Sequence, residues 1–196
     1  MKNQPKPKLK EEELHILITL YIFHRLGRKQ LSKLLEIGEG KTRSILDSLK
    51  KLGYVETTRG GNKLSNLGKQ TIERLLFNLK IKSIHLLPAN EICKDCIASM
   101  YRIECHKLGN IVEIRDEAVR KGAIGALIIK VKNGKYLLPP DIGELSKYYP
   151  KIEETIKHII KPKEGEVLII TYSKDYKSII IGGLHASKKL ASLCKT

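Results

Sequence analysis

Residues 28–63 of this sequence concentrate side chains suited to binding a polyanion. Arg28 and Lys29 come first, then Lys41, Thr42, Arg43, Ser44, Asp47, Lys50 and Lys51, then Arg59, Asn62 and Lys63. A guanidinium can donate two parallel hydrogen bonds to the edge of guanine, which makes Arg43 the best single candidate for reading a base. Lys29, Lys50 and Lys51 are charges better matched to phosphates, contacts that position a protein without reading sequence. Arg59 and Lys63 flank Gly60-Gly61, where the missing side chains allow close approach to a minor groove.

A second group is sulfur chemistry. Cys93-x-x-Cys96 and Cys105-His106 suggest a zinc knuckle, since structural zinc takes four Cys or His ligands. Two features oppose it: adjacent residues rarely both reach one ion, and no second C-x-x-C exists. Read as a helix over 91–108, the segment puts Cys93 and Cys96 on one face with Met100, so core thiols are the first expectation. A disulfide or redox pair, and a metal site, are the alternatives. A third group is Arg115 and Asp116, candidate ligand-binding residues followed by Gly122 and Gly125. The plainer alternative, and the one the residues favour, is a surface ion pair beside a glycine turn. Catalysis has no foothold. There is no G-x-x-x-x-G-K-[ST], no G-x-G-x-x-G after a strand and no G-x-S-x-G, and the six histidines are scattered. No catalytic residue, bound metal or cofactor is expected.

The elements that must position these groups can be read from periodicity. Apolar residues at 14, 17, 18, 21 and 22 predict a helix over about 10–25, ended by Gly27. Leu31, Leu34 and Leu35 mark a short second helix. A third runs over about 40–52 with Ile45, Leu49 and Leu52 as its buried face, stopped by Gly53. Residues 54–58 and 63–65 read as a hairpin around Arg59–Asn62, and Ser65 or Asn66 caps a fourth helix. Beyond residue 82 the pattern becomes mixed. Strands are expected at 83–87, 126–132, 135–138 and 167–172, with Asn133-Gly134 as a hairpin turn. Helices are expected at 111–121, 145–160 and 178–193.

Composition bounds the rest. The 196 residues carry a formal net charge of +16 and a pI near 9.7. Such a surplus favours nucleic acid as a partner, although a Lys- and Ile-rich proteome raises the charge of many proteins. Residues 1–80 hold 17 basic and 8 acidic side chains, so the front is the denser half. No apolar run is long enough for a membrane span and no signal peptide is evident, so a cytoplasmic protein without a membrane partner is expected. The Lys, Ile and Glu bias is that of a thermophile, where intracellular disulfides are less exceptional.

The run "LSKLLEIGEGKTRSILDSLKKLGYVETTRGGNKLSNLGKQTIERL" resembles the winged helix-turn-helix domains of MarR-like and PadR-like regulators over about 28–76. Its landmarks are "L-S-x-L-L", "L-x-x-L-G-Y-V" and "L-S-x-x-G". The run "IRDEAVRKGAIGALIIKVKNGKYLLPP" with "EGEVLIIT" resembles, over about 109–193, an archaeal C-terminal domain of unknown function that follows a winged helix. That resemblance implies an architecture, by analogy a sensing or dimerising module, and no chemistry. The expected organisation is α+β: a tail at 1–8, a winged helix-turn-helix domain at 9–80 and a mixed domain at 81–196. The expected function is a sequence-specific regulator of transcription, a homodimer on double-stranded DNA with a possible small-molecule effector. The alternatives are a metal-handling protein or enzyme with an accessory winged helix, and a non-specific chromatin- or RNA-binding basic protein.

Overall fold

The computed structural model describes residues 9–105 and 108–194; the expected tail at 1–8 and His106 lie outside them. The chain divides into two compact units, the first ending at Glu73 and the second beginning at Arg74. The division falls inside the fourth helix rather than after it.

The first unit opens with α1 (Glu11–Phe23), α2 (Arg28–Leu35) and α3 (Glu39–Lys51). The strands β1 (Val55–Thr58) and β2 (Gly61–Leu64) pair antiparallel, and α4 (Asn66–Asn78) follows. Helix α1 departs from the expected single apolar stripe. His15 through Leu20 are all buried, the pattern of a helix surrounded on most sides. It stops at Phe23, not Gly27. Gly27 instead caps α2, its amide donating to Gln30 Oε1 at 2.7 Å.

Helix α3 buries Thr42, Leu46 and Leu49, while Ile45 and Leu52 are only half-buried. The buried stripe is thus rotated by about one residue from the expected 45, 49 and 52. Thr42 can be internal because its hydroxyl donates to the carbonyls of Ile37 and Gly38, at 3.3 and 3.1 Å. The helix ends in a Schellman turn. Gly53 adopts φ +77°, its amide bonds Lys50 O at 2.9 Å, and the Tyr54 amide bonds Leu49 O at 2.9 Å. Ser65 then caps α4: its Oγ accepts from the Gly68 amide at 3.0 Å and donates to Gly53 O at 2.5 Å. Gly68 is required because any Cβ there would overlap the Tyr54 carbonyl.

The second unit is a six-stranded antiparallel sheet in the order β3-β4-β8-β5-β6-β7. Its strands are β3 (Ile81–Pro88), β4 (Ile97–Glu104), β5 (Gly125–Lys132), β6 (Lys135–Leu138), β7 (Gly143–Glu144) and β8 (Glu166–Ser173). Helices α5 (Ile111–Arg120) and α7 (Tyr176–Leu193) cover one face. Helix α6 (Pro150–Ile159) covers the other through Ile152 and Ile156, which join Ala98, Met100, Leu168 and Ile170 in one core. Strand β8 is central and buried on both faces, which is why it reads as an unbroken apolar run. The Asn133-Gly134 turn has positive φ at both residues, as a two-residue hairpin turn requires.

Two expectations fail in this unit. The described residues of 91–108 are not helical, because β4 is a strand that pairs with β3 and β8. The cysteines are not core thiols. Cys93 and Cys96 are joined by a disulfide across a turn, with Cα atoms 5.5 Å apart, and Cys105 is joined to Cys194 with Cα atoms 5.8 Å apart. The turn bond from the Cys96 amide to Cys93 O, at 3.2 Å, brings the first pair together. The second ties the end of β4 to the end of α7.

A buried polar cluster holds α7 on the sheet. Ser99 Oγ and Thr171 Oγ1, on paired residues of β4 and β8, both donate to Ile179 O, at 2.7 and 2.8 Å. The Tyr101 hydroxyl donates to Ile180 O at 2.7 Å. At the start of α7, Asp175 caps the helix, accepting from the Ser178 amide at 2.7 Å. Among the described residues no helix is long and apolar enough to cross a membrane.

Candidate nucleic-acid interface

With its apolar stripe facing α1 and α2, α3 turns Lys41, Arg43, Ser44, Asp47, Lys50 and Lys51 outward. Thirteen residues make a rod about 20 Å long, enough to lie along a major groove. An open groove of about 550 Å³ runs along one side of α3, lined by Arg28, Lys29 and Gln30 of α2, by Arg43, Asp47 and Lys50, and by Thr57 of the wing. A second, of about 670 Å³, runs along its other side, lined by Arg43, Ser44, Asp47, Ser48 and Lys51. Arg43 and Asp47 line both, so they sit on the crest of the ridge.

The ion pairs sort the cations. Lys41 meets Glu12 of α1 at 2.5 Å, Lys63 meets Glu56 at 2.8 Å, Lys50 meets Asp47 at 3.7 Å, and Arg28 meets Glu39 at 3.9 Å. All are at the surface, where such pairs stabilise by at most about 1 kcal/mol and can exchange for phosphate. Among the described residues no carboxylate pairs with Lys29, Arg43, Lys51 or Arg59. These four carry uncompensated charge toward whatever the ridge meets.

One expected contact residue, Thr42, is corrected, and another, Asn62, is placed in the groove wall rather than at the wing tip. Thr42 is 1% exposed and its hydroxyl is committed to the α2–α3 turn, so it cannot reach a ligand. Asn62 is 5% exposed and lines the same groove as Arg43 and Thr57. The wing turn is only Arg59-Gly60, so Asn62 lies in β2 opposite Thr57 instead of at the tip. Its amide nitrogen donates to Leu26 O at 3.3 Å and its Oδ1 accepts from Thr57 Oγ1 at 3.0 Å. Reciprocal backbone bonds between Leu26 and Asn62, at 3.0 and 2.8 Å, complete a third rung that anchors the wing beside the entry to α2. A one-residue bridge has no periodicity, so nothing in the sequence announced it.

Two residues were missed. Gln30 lines the groove beside Arg43, and the Arg25 guanidinium lies over Gly60 at the wing tip. Gln30 was legible as the partner of a helix cap, but Arg25 sits in a connection with no spacing signal.

In the second unit, Arg115 is exposed and Asp116 half-buried on α5, and they do not pair with each other. Gly122, at φ +98°, makes the turn after α5. Gly125 gives way to the Tyr172 ring, which a Cβ would overlap, so the close approach it permits is to the protein's own side chain. The sulfurs of Cys93, Cys96 and Cys105 are spent in disulfides and offer no thiolate to a metal.

Comparison with known proteins agrees with this two-part plan. A family model described as the PH0730-like N-terminal domain matches residues 13–70. A second, described as a domain of unknown function, DUF4443, matches residues 92–190 and so begins earlier than the resemblance over 109–193. The chain is similar to the solved structure of a hypothetical protein, PH0730, from Pyrococcus horikoshii OT3. That match has 25% identity and a TM-score of 0.75, and covers 97% of this chain and 96% of the other. No curated protein matches.

Proposed function

The chain belongs to the family of the domain of unknown function DUF4443, a name without an activity, and we propose from its site that it is a sequence-specific transcriptional regulator that binds double-stranded DNA. The observation that carries the reading is the α3 ridge, with Arg43 on its crest and Lys29 and Lys51 in the grooves beside it, none of them paired with a carboxylate among the described residues, as is also true of Arg59 in the wing turn. Arg43 reads a base edge from the major groove. Lys29 and Lys51 neutralise flanking phosphates, and Arg59 carries the wing to the backbone or minor groove. The reading contains no catalytic step. The second unit serves as a sensing or dimerising module.

The test uses the full chain and a duplex selected from a random pool, compared with its scrambled sequence at several salt concentrations. A preference of about a hundredfold or more that persists above about 150 mM salt is expected. Arg43→Ala should cost about 1–3 kcal/mol on the selected duplex and relax preference at one base pair, while Lys51→Ala weakens every duplex alike and lowers the salt slope. Absence of binding at low salt sinks the reading, and binding without preference turns it into the non-specific one.

The protein should act as a homodimer, since two-fold sites suit winged-helix regulators. Supporting this, Phe77 of α4 is 79% exposed. Sedimentation at micromolar concentration should give a dimer; a monomer alone removes this part.

A further inference from the structure

We propose that the cavity beside α5 in the second unit binds a small apolar carboxylate, with Arg115 as its anchor. The cavity has a volume of about 300 Å³ and is walled by Ile111 and Val112 of α5, Leu127 of β5, and Leu138 and Ile142 near the end of β6. That is the lower end of the range for ligand sites, about 300–1,000 Å³, so it fits a molecule of metabolite size and not a nucleotide or peptide.

Charge narrows the class. Arg115 is the one charged residue in the lining, and among the described residues no carboxylate pairs with it. Neither Asp116 nor Asp141 lines the cavity. A guanidinium binds a carboxylate through two parallel bonds, so one anion satisfies it. A neutral apolar molecule would leave that charge unused, and a phosphate ester would find one cation where its second charge needs another.

One further donor lines the cavity, with a second phenol near it. Tyr149 lines the cavity, and the hydroxyls of Tyr149 and Tyr172 have no hydrogen-bond partner among the described residues. Burial and Tyr149 push the Tyr172 phenol up while Arg115 pulls it down, which puts Tyr149 and Arg115 each within electrostatic reach of Tyr172.

The apolar part follows from exposure. Val112, Ile142 and Tyr148 at the cavity are each more than half exposed, at 52, 54 and 51%. Water against three large apolar side chains is unfavourable, and a ligand's hydrocarbon body would displace it. The wall is preformed, because the Tyr148 hydroxyl donates to Ile142 O at 3.0 Å and closes the loop on itself.

This inference rests on reading the second unit as the sensing module, and its test contains no DNA, so failure of duplex binding and failure of the cavity are seen separately. Phenylacetate, benzoate and hexanoate are titrated into the full chain by calorimetry, beside the neutral phenylacetamide. Phenylacetate is expected to bind at least about tenfold more tightly than its amide. Arg115→Gln, at an exposed position, should bring the two to equality, and Ile142→Asp should abolish both. Equal affinity for acid and amide, a preference that survives Arg115→Gln, or no binding by any of the three carboxylates would overturn the assignment.

Discussion

Replacing Cys194 by serine is expected to cost the second unit about 4–5 kcal/mol of stability. The disulfide from Cys105 to Cys194 joins residues 89 apart. Closing so long a loop removes most of the freedom of the unfolded chain between them, and the entropy lost grows with the logarithm of its length. The bond from Cys93 to Cys96 spans a separation of 3 and by the same relation is worth about 2 kcal/mol. Position adds to the difference. Cys105 follows β4 and Cys194 follows α7, so the longer bond ties the last helix to a central strand. Denaturant unfolding of the full chain under non-reducing conditions should therefore place Cys194→Ser well below Cys93→Ser. Adding a reductant should erase the gap between Cys194→Ser and the unmodified chain. Equal losses in the two variants would count against the long-range bond.

The second large effect is at Gly183, where alanine should destabilise by about 1–3 kcal/mol despite being the better helix former. A Cβ built there would overlap Tyr101 Cε2 and lie 2.9 Å from Thr171 Oγ1. Tyr101 cannot swing away freely, because it is wholly buried and its hydroxyl is held by Ile180 O. Forcing an extra methyl into a packed core costs about 1–3 kcal/mol, and the strained Tyr101 bond adds about 1. The helix-propensity gain of Ala over Gly returns about 1. Gly182 is the control. Its nearest neighbours, Ala118 O and Ala123 Cβ, lie at 3.1 and 3.2 Å, a tight contact that small shifts relieve, so Gly182→Ala should be close to neutral. Thermal unfolding compares the two. A Gly183→Ala protein as stable as its parent would mean that the ring leaves without cost.

How α7 meets the sheet also sets the environment of the Tyr101 hydroxyl. Burial pushes that phenol above its usual range, which favours the neutral form that donates to Ile180 O. With Ser99 and Thr171 it turns an apolar layer into one with a single register. Each hydroxyl must meet a specific helix carbonyl, and a slip of one residue would leave buried polar groups unpaired.

Much was legible because local chemistry and the global fold agree. Gly53 and Ser65 end and begin helices for reasons contained within a few residues of each. Asn133-Gly134 is a strong hairpin-turn signal, and the apolar run at 167–172 read as a strand, which the sheet buries on both faces. Basic residues between apolar ones on α3 marked the ridge, and the exposed positions of Arg43, Lys50 and Lys51 follow from that spacing. Three things were decided by tertiary structure alone. The burial of Thr42 and Asn62 depends on carbonyls that the α2–α3 turn and Leu26 bring to them, partners distant in space from any local pattern. The strand at 97–104 exists because β3 and β8 supply hydrogen bonds on both edges, against a cysteine and methionine spacing that also suits a helix. The pairing of Cys105 with Cys194, and the meeting of Arg115 with an apolar cavity, needed the sheet to close before the residues became neighbours. Periodicity encodes which face of an element is apolar; it carries no information about which distant group will satisfy a buried polar atom, and that is where the three differences lie.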